Sequence, residues 1–126
     1  IETDFEALKP DTTLRDLTDI VAHSTRNIFP VLTELNQLVG LIYLDHIRET
    51  IFKTDLYDKV TAKDLMRAPA AVIDSGETMH EVMKKFDETN AWVLPVVTND
   101  EFTGFISKSN LLANYRSELI RTSSRD

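Results

Sequence analysis

The chain has 126 residues, 42% of them apolar and 28% charged, with 21 acidic against 14 basic side chains and a formal net charge of −7. That is enough apolar material for a core, and the negative balance argues against a general nucleic-acid binder or a module that docks on anionic lipid, both of which need a basic surface. The absence of cysteine excludes disulfides, thiolate metal sites and thiol nucleophiles, and no apolar run reaches the roughly 18 residues that span a bilayer.

In chain order, "PDTTLRDLTDIVAHST" opens with turn residues and then spaces Leu14, Leu17 and Val21 at i, i+3, i+7. This predicts an amphipathic helix starting near residue 13, with Thr13 and Asp16 as a capping-box variant. "RNIFPVLT" at 26–33 is a strand-like run interrupted by Pro30, whose missing N–H is expected at a strand start or edge. A polar turn, Gly40 and the apolar strand "LIY" follow. "LDHIRETIF" is expected to be a helix with Leu44, Ile47, Ile51 and Phe52 on one side. "KTDLYDKVTAKDLMRAP" bridges to the second half and holds too many apolar residues (Leu56, Tyr57, Val60, Leu65, Met66) for a free linker.

The same series then recurs. "AAVID" at 70–74 reads as a short strand, and "GETMHEVMKKFDETN" predicts a second helix from about 78, with Thr78 and Glu81 as the capping pair and Met79, Val82, Met83 and Phe86 on its apolar face. "AWVLPVVT" carries Pro95 where the first copy has Pro30, and Gly104 matches Gly40. These are two of only three glycines in the chain. "NLLANYRSELI", with Leu111, Leu112, Tyr115 and Leu119, closes the copy as a helix. The fold class is mixed α+β, two tandem units of about 60 residues, each too small to be comfortable alone.

Little in the sequence suggests catalysis. His23, His46 and His80 are scattered without metal-ligand spacing. Acid pairs such as Asp16/Asp19 and Asp87/Glu88 read as solvated helix faces, there is no GxSxG around Ser107, and no phosphate-cradling glycine loop exists. "GFISKSNL" places Ser107 and Asn110 where a strand feeds a helix N-terminus. That arrangement suits an anionic ligand, and it equally suits simple capping of orphan amides by Ser107 or Ser109.

The doubled pattern, turn–Thr–helix, apolar-Pro-Val, then polar turn–Gly-x-Ile-Ser-x-x-Asx-Leu, resembles a tandem pair of CBS domains, a Bateman module, over residues 5–119. "RNIFPV", "LDHIRETIF", "YDKV", "KKFDETNAWVLPVV" and "GFISKSNLLANYR" further resemble the cytoplasmic C-terminal tail of prokaryotic ClC-type chloride channels and transporters. The start at Ile-Glu-Thr, without Met, reads as a piece of a longer protein. The resemblance implies two βαββα repeats (1–56 and 68–126, joined by 57–67) packed with pseudo-twofold symmetry. It implies a non-enzymatic, regulatory role at the cytoplasmic face of the cell membrane, homodimerisation through the CBS modules, and a membrane-embedded channel portion on the same polypeptide. No nucleic acid and no membrane insertion of this fragment are expected.

Many members of that family bind adenine nucleotides, so ATP, ADP or AMP is the implied ligand, and no cofactor is required. One implied cleft takes Thr12, Thr13, Arg26, Asn27 and Ile28 with Ser107, Lys108 and Asn110. Its counterpart takes Thr78, Ala91, Trp92 and Val93 with Tyr43 and His46. The family's ribose-binding Ser/Thr-x-x-Asp is here Ser107-x-x-Asn110 and Tyr43-x-x-His46. An amide in place of the carboxylate gives up a charge-assisted hydrogen bond of about 1.5–3 kcal/mol. The Tyr43-x-x-His46 step has lost both the small hydroxyl and the acid, so that cleft is expected to be closed or filled by side chains and non-functional, and the Arg26/Lys108 cleft, with two cations near the phosphates, to be the usable one. Two alternatives stand beside this reading: a purely structural dimerisation tail, and the regulatory CBS pair of a soluble metabolic enzyme.

Overall fold

The computed structural model describes residues 1–123, so the end of the expected C-terminal tail lies outside the described residues. Its elements are α1 (Leu14–His23), β1 (Ile28–Leu32), β2 (Leu38–Tyr43), α2 (Leu44–Ile47), two 3₁₀ turns (Thr50–Phe52 and Thr54–Leu56), α3 (Ala62–Leu65), β3 (Ile73–Asp74), α4 (Met79–Thr89), β4 (Val93–Thr98), β5 (Glu101–Ser107) and α5 (Lys108–Ser123). The chain divides into two compact units, the first built from 4–69 and 100–102, the second from 1–3, 70–99 and 103 onward.

In the first unit, Thr13 caps α1 by accepting a hydrogen bond from the Asp16 amide at 3.2 Å, as the spacing of the two residues requires. Leu14 and Leu17 then point inward and are fully buried with Leu8, Phe29, Val31, Ile42, Ile47 and Ala62. β1 and β2 form an antiparallel hairpin with Pro30 opposite Leu41. The turn between them is closed by Thr33, whose hydroxyl accepts from the amides of Leu35 and Gln37. Leu8 joins β1 as a parallel bridge: its N–H donates to the Pro30 carbonyl, and its own carbonyl accepts from Leu32.

That bridge explains the first proline. A strand residue's N–H and C=O point to the same side, so the nitrogen of Pro30 faces the Leu8 segment rather than β2. The parallel partner begins only at Leu8, so no acceptor waits for the absent hydrogen. Pro95 repeats the solution. The Val97 carbonyl accepts from Ser75 at 3.0 Å, so Pro95, two residues earlier, also faces β3, which starts only at Ile73. Both prolines lie inside strands, not at their starts, and each faces a side where pairing is just beginning.

The second unit holds the sheet β3–β4–β5, with β3 parallel to β4. Thr78 caps α4 through the Glu81 amide at 3.2 Å, and Val82 and Phe86 are buried against Ile73, Leu94, Val96 and Leu111. Asn90 ends α4 in the left-handed region. Asn99 and Asp100, both at positive φ, make the tight turn that suits a twisted hairpin.

The two glycines have one shared cause. Leu41 and Arg67 exchange two backbone hydrogen bonds of 2.9 Å, and a β-carbon on Gly40 would come within 3 Å of the Met66 side chain. Glu2 and Phe105 exchange the equivalent pair, and a β-carbon on Gly104 would overlap the Glu2 carbonyl oxygen. In each unit a lead-in segment crosses the strand directly over the glycine, and only a bare backbone leaves room.

The helix expected over "LDHIRETIF" is not continuous. It stops after Ile47 and tightens into the 3₁₀ turns, leaving Phe52 exposed. The break returns the chain toward α1. Its counterpart α5 runs without interruption through Ser123, but only Leu111 of its expected apolar face is buried, while Tyr115 and Leu119 are exposed.

Candidate functional site

Each unit brings together the residues at the start of its first long strand and at the start of the helix that follows its second. In the first unit, Ile28 lies opposite Tyr43 across the hairpin, and the Asn27 carbonyl accepts from the Leu44 amide at 2.8 Å. Tyr43 and His46 have ring centroids 5.2 Å apart. Burial raises the Tyr43 hydroxyl above its ordinary pKa, so the phenol stays neutral. Thr12 and Thr13 are already committed. The Thr12 hydroxyl accepts from Lys9 at 3.0 Å, its carbonyl accepts from Ala62 at 2.8 Å, and Thr13 caps α1. The Arg26 guanidinium is paired with the Asp4 carboxylate.

In the second unit the Trp92 carbonyl accepts from the Lys108 amide at 2.8 Å, repeating the Asn27–Leu44 bond. The Lys108 ammonium lies 5.4 Å from the centre of the Trp92 ring, in cation–π range, and 3.9 Å from Asp87. Trp92 itself is 71% exposed. Ser107 caps α5, accepting from the Asn110 amide at 3.2 Å and lying 3.4 Å from the Ser109 hydroxyl. The Asn110 side-chain amide donates to the Glu2 carboxylate at 3.4 Å. Ala91 receives its order from Thr89, which accepts its N–H at 3.2 Å, and Val93 opens β4 beside it.

Three features bear on the sequence reading. Capping by Ser107 is realised, so that hydroxyl already has one duty. Lys108 is seated on Trp92, which joins two residues that the sequence assigns to different clefts. Arg26 and Lys108, the cations expected for phosphate, both carry carboxylate partners, and these are more exposed than the cations themselves (Asp4 88% against Arg26 37%; Asp87 68% against Lys108 26%). Such screened partners are held weakly and can be exchanged for a multivalent anion. Neither partnership leaves a sequence signal, because Asp4 and Arg26 are 22 residues apart.

The three histidines sit apart on α1, α2 and α4. Among the described residues there is no group of His, Asp or Glu side chains able to hold a metal ion, and no helix is long and apolar enough to cross a membrane.

The family model of the CBS domain matches residues 1–53 and again 62–117. The chain belongs to the CBS-domain family and carries two copies. Inosine-5'-monophosphate dehydrogenase of Yersinia pestis is 32% identical over 102 residues, which is 81% of this chain and 20% of that enzyme; the chain thus spans about a fifth of the curated relatives it matches. Among solved structures, CbpB in complex with c-di-AMP superposes with a TM-score of 0.74 at 19% identity, covering 98% of this chain and 84% of that one. The CBS pair of a putative Mg2+ transporter from Shewanella oneidensis gives 0.72 at 14% identity, over 94% and 68%. At these identities the two structures show the shared fold, a CBS pair.

Proposed function

We propose that this CBS pair is a non-catalytic regulatory module that takes an adenine-nucleotide ligand. The family match across both repeats is the observation that carries this reading, and the likeness to CbpB with its bound c-di-AMP supports the ligand class. The contacts proposed are Thr12, Thr13, Arg26, Asn27 and Ile28 from the first repeat, and Ser107, Lys108 and Asn110 from the second. Arg26 and Lys108 exchange their carboxylates for phosphate, and Ser107 and Asn110 approach the ribose. Ligand binding regulates only through different affinity for two arrangements of the module. Dimerisation of the module belongs to the same proposal.

Calorimetry and thermal shift with ATP, ADP, AMP, c-di-AMP and S-adenosylmethionine test it, with Trp92 fluorescence as an internal report. Binding that weakens in Lys108→Met and in Arg26→Ala, and strengthens in Asn110→Asp, is expected. Silence toward all five ligands overturns the sensing role and leaves a structural dimerisation tail.

The polypeptide we propose as host is a ClC-type chloride channel or transporter, with the module at the cytoplasmic face of the membrane. The support is the run of phrases from "RNIFPV" to "GFISKSNLLANYR", which are longer than a generic CBS pair requires. The relatedness to inosine-5'-monophosphate dehydrogenase favours a second reading, a regulatory pair attached to a soluble enzyme. The residues encoded upstream separate the two: a series of apolar spans supports the first, and a polar α/β sequence the second.

A further inference from the structure

The two repeats have the same core positions but not the same cover. Sixty-five positions separate Pro30 from Pro95, Thr13 from Thr78 and Leu8 from Ile73. In the first unit, residues 54–67 fold back over the start of α1. The Val60 carbonyl accepts from the Leu14 amide at 2.8 Å, and the Tyr57 carbonyl from the Arg15 amide at 3.1 Å. Leu56, Tyr57, Val60 and Ala62 pack on the core, and Asp58 holds Arg15 in a bidentate pair of 3.0 and 2.9 Å. Under that cover Leu14 is 0% and Ile42 1% exposed.

The second unit has no such cover among the described residues. Met79 and Ile106, the counterparts of Leu14 and Ile42, remain half-buried. Among the described residues, the amides of Met79 and His80, counterparts of Leu14 and Arg15, have no backbone acceptor. A cavity of about 190 Å³ opens there, lined mainly by apolar side chains, among them Ile1, Met79 and Leu111, together with Asp74, Ser75 and Glu77.

The repeat register says what belongs in it. Met66 and Arg67, the last residues of the first unit's cover, correspond to Ile1 and Glu2. Glu2 already makes the same strand bridge to Phe105 that Arg67 makes to Leu41. The ladder that anchors the end of a cover is therefore present in the second unit, and the missing part is the stretch that would run into Ile1. We propose that the start of α4 is the docking face for a segment of about a dozen residues joined to the amino side of Ile1, the counterpart of residues 54–65. It would have apolar residues where Tyr57, Val60 and Ala62 stand. It supplies carbonyls to Met79 and His80, fills the cavity with apolar side chains, and couples whatever precedes the module to the second repeat. The inference rests on the geometry of the second unit, not on any ligand.

The test extends this chain at Ile1 in two ways, with its own upstream residues and with a copy of residues 54–65. A control copy carries serine at the positions of Leu56, Tyr57 and Val60. Hydrogen exchange at Met79 and His80 is expected to slow about five- to tenfold in both extensions and not in the control, the effect of one net backbone hydrogen bond, with a higher melting temperature. Unchanged exchange in both extensions, or equal slowing in the serine control, overturns the proposal. Slowing that appears in the unextended chain as its concentration rises assigns the face to a second copy and overturns it as well.

Discussion

The start of α1 and the start of α4 are built from one pattern and end in different states. Both are capped by threonine, and both place an apolar residue first in the helix, yet Leu14 is sealed and Met79 is half open. The difference does not lie in the helices. It lies in a return segment that, among the described residues, is seen only in the first unit, so local sequence sets the element while distant sequence sets its burial.

Truncating the first residue of each helix should separate the two sites most widely. Leu14→Ala is expected to cost about 3–5 kcal/mol in urea unfolding, because a fully enclosed site cannot collapse. Met79→Ala should cost about 1–2 kcal/mol, since its surroundings already have room. Equal losses would mean that the cavity beside Met79 closes in solution.

The glycines give the next largest contrast. Gly104→Ala pushes a methyl group against the Glu2 backbone at positive φ, at a cost of about 3 kcal/mol. Gly40→Ala, at an ordinary φ, meets the Met66 side chain from its β-carbon to its sulfur at 2.7–2.9 Å and should lose about 2 kcal/mol. The pair Gly40→Ala with Met66→Ala should recover part of that loss, whereas no side-chain change rescues Gly104→Ala.

A polar pin in the second unit adds a pH-dependent contribution to its stability. Lys85 donates to Glu77 at 2.6 Å and to the Val72 carbonyl at 2.7 Å, and Glu77 also accepts from the Asp74 amide at 2.8 Å. The Lys85 hydrogen bond first, and the Asp74 amide second, hold the Glu77 carboxyl below its ordinary value of 4.5. A depressed carboxylate stabilises the fold above its unfolded pKa and loses that contribution as pH falls through the folded one. Stability of the second unit should therefore drop below about pH 4.5. Lys85→Met should remove about 1–2 kcal/mol at neutral pH and flatten the acid-side slope, as read from unfolding curves at several pH values.

The smallest effect is expected at Trp92. Its ring is mostly exposed, so Trp92→Ala should change stability by less than about 0.5 kcal/mol. It should nonetheless release Lys108 and alter nucleotide binding, measured by calorimetry. A large loss of stability instead would make the ring a structural member of its unit.

Much of this was legible in the residues. The capping threonines, the i, i+3, i+7 spacing of Leu14, Leu17 and Val21, and the matched prolines and glycines were enough to read two copies of one unit. What they could not carry was any feature set by a partner far along the chain. Phe52 fits an apolar helical face by spacing, yet the helix ends at Ile47 so that Tyr57 can return and donate its hydroxyl to the Ile51 carbonyl at 2.9 Å. The carboxylates on Arg26 and Lys108 were invisible for the same reason. The bridging segment read as too apolar for a free linker, and its apolar residues proved to be the cover of the first core.

The lead-in strip over Gly104 also bears on how the chain could have been assembled. Residues 1–3 belong with the second unit, and residues 100–102 with the first. There the Phe102 amide donates to the Asn36 carbonyl at 2.9 Å, and its ring meets Phe5 edge-on at 4.8 Å. A cut between Pro69 and Ala70 would give two fragments, each holding a strip of the other's fold. Such fragments should be poorly folded alone and should complement each other when mixed, because each unit is completed by residues from the other half of the chain.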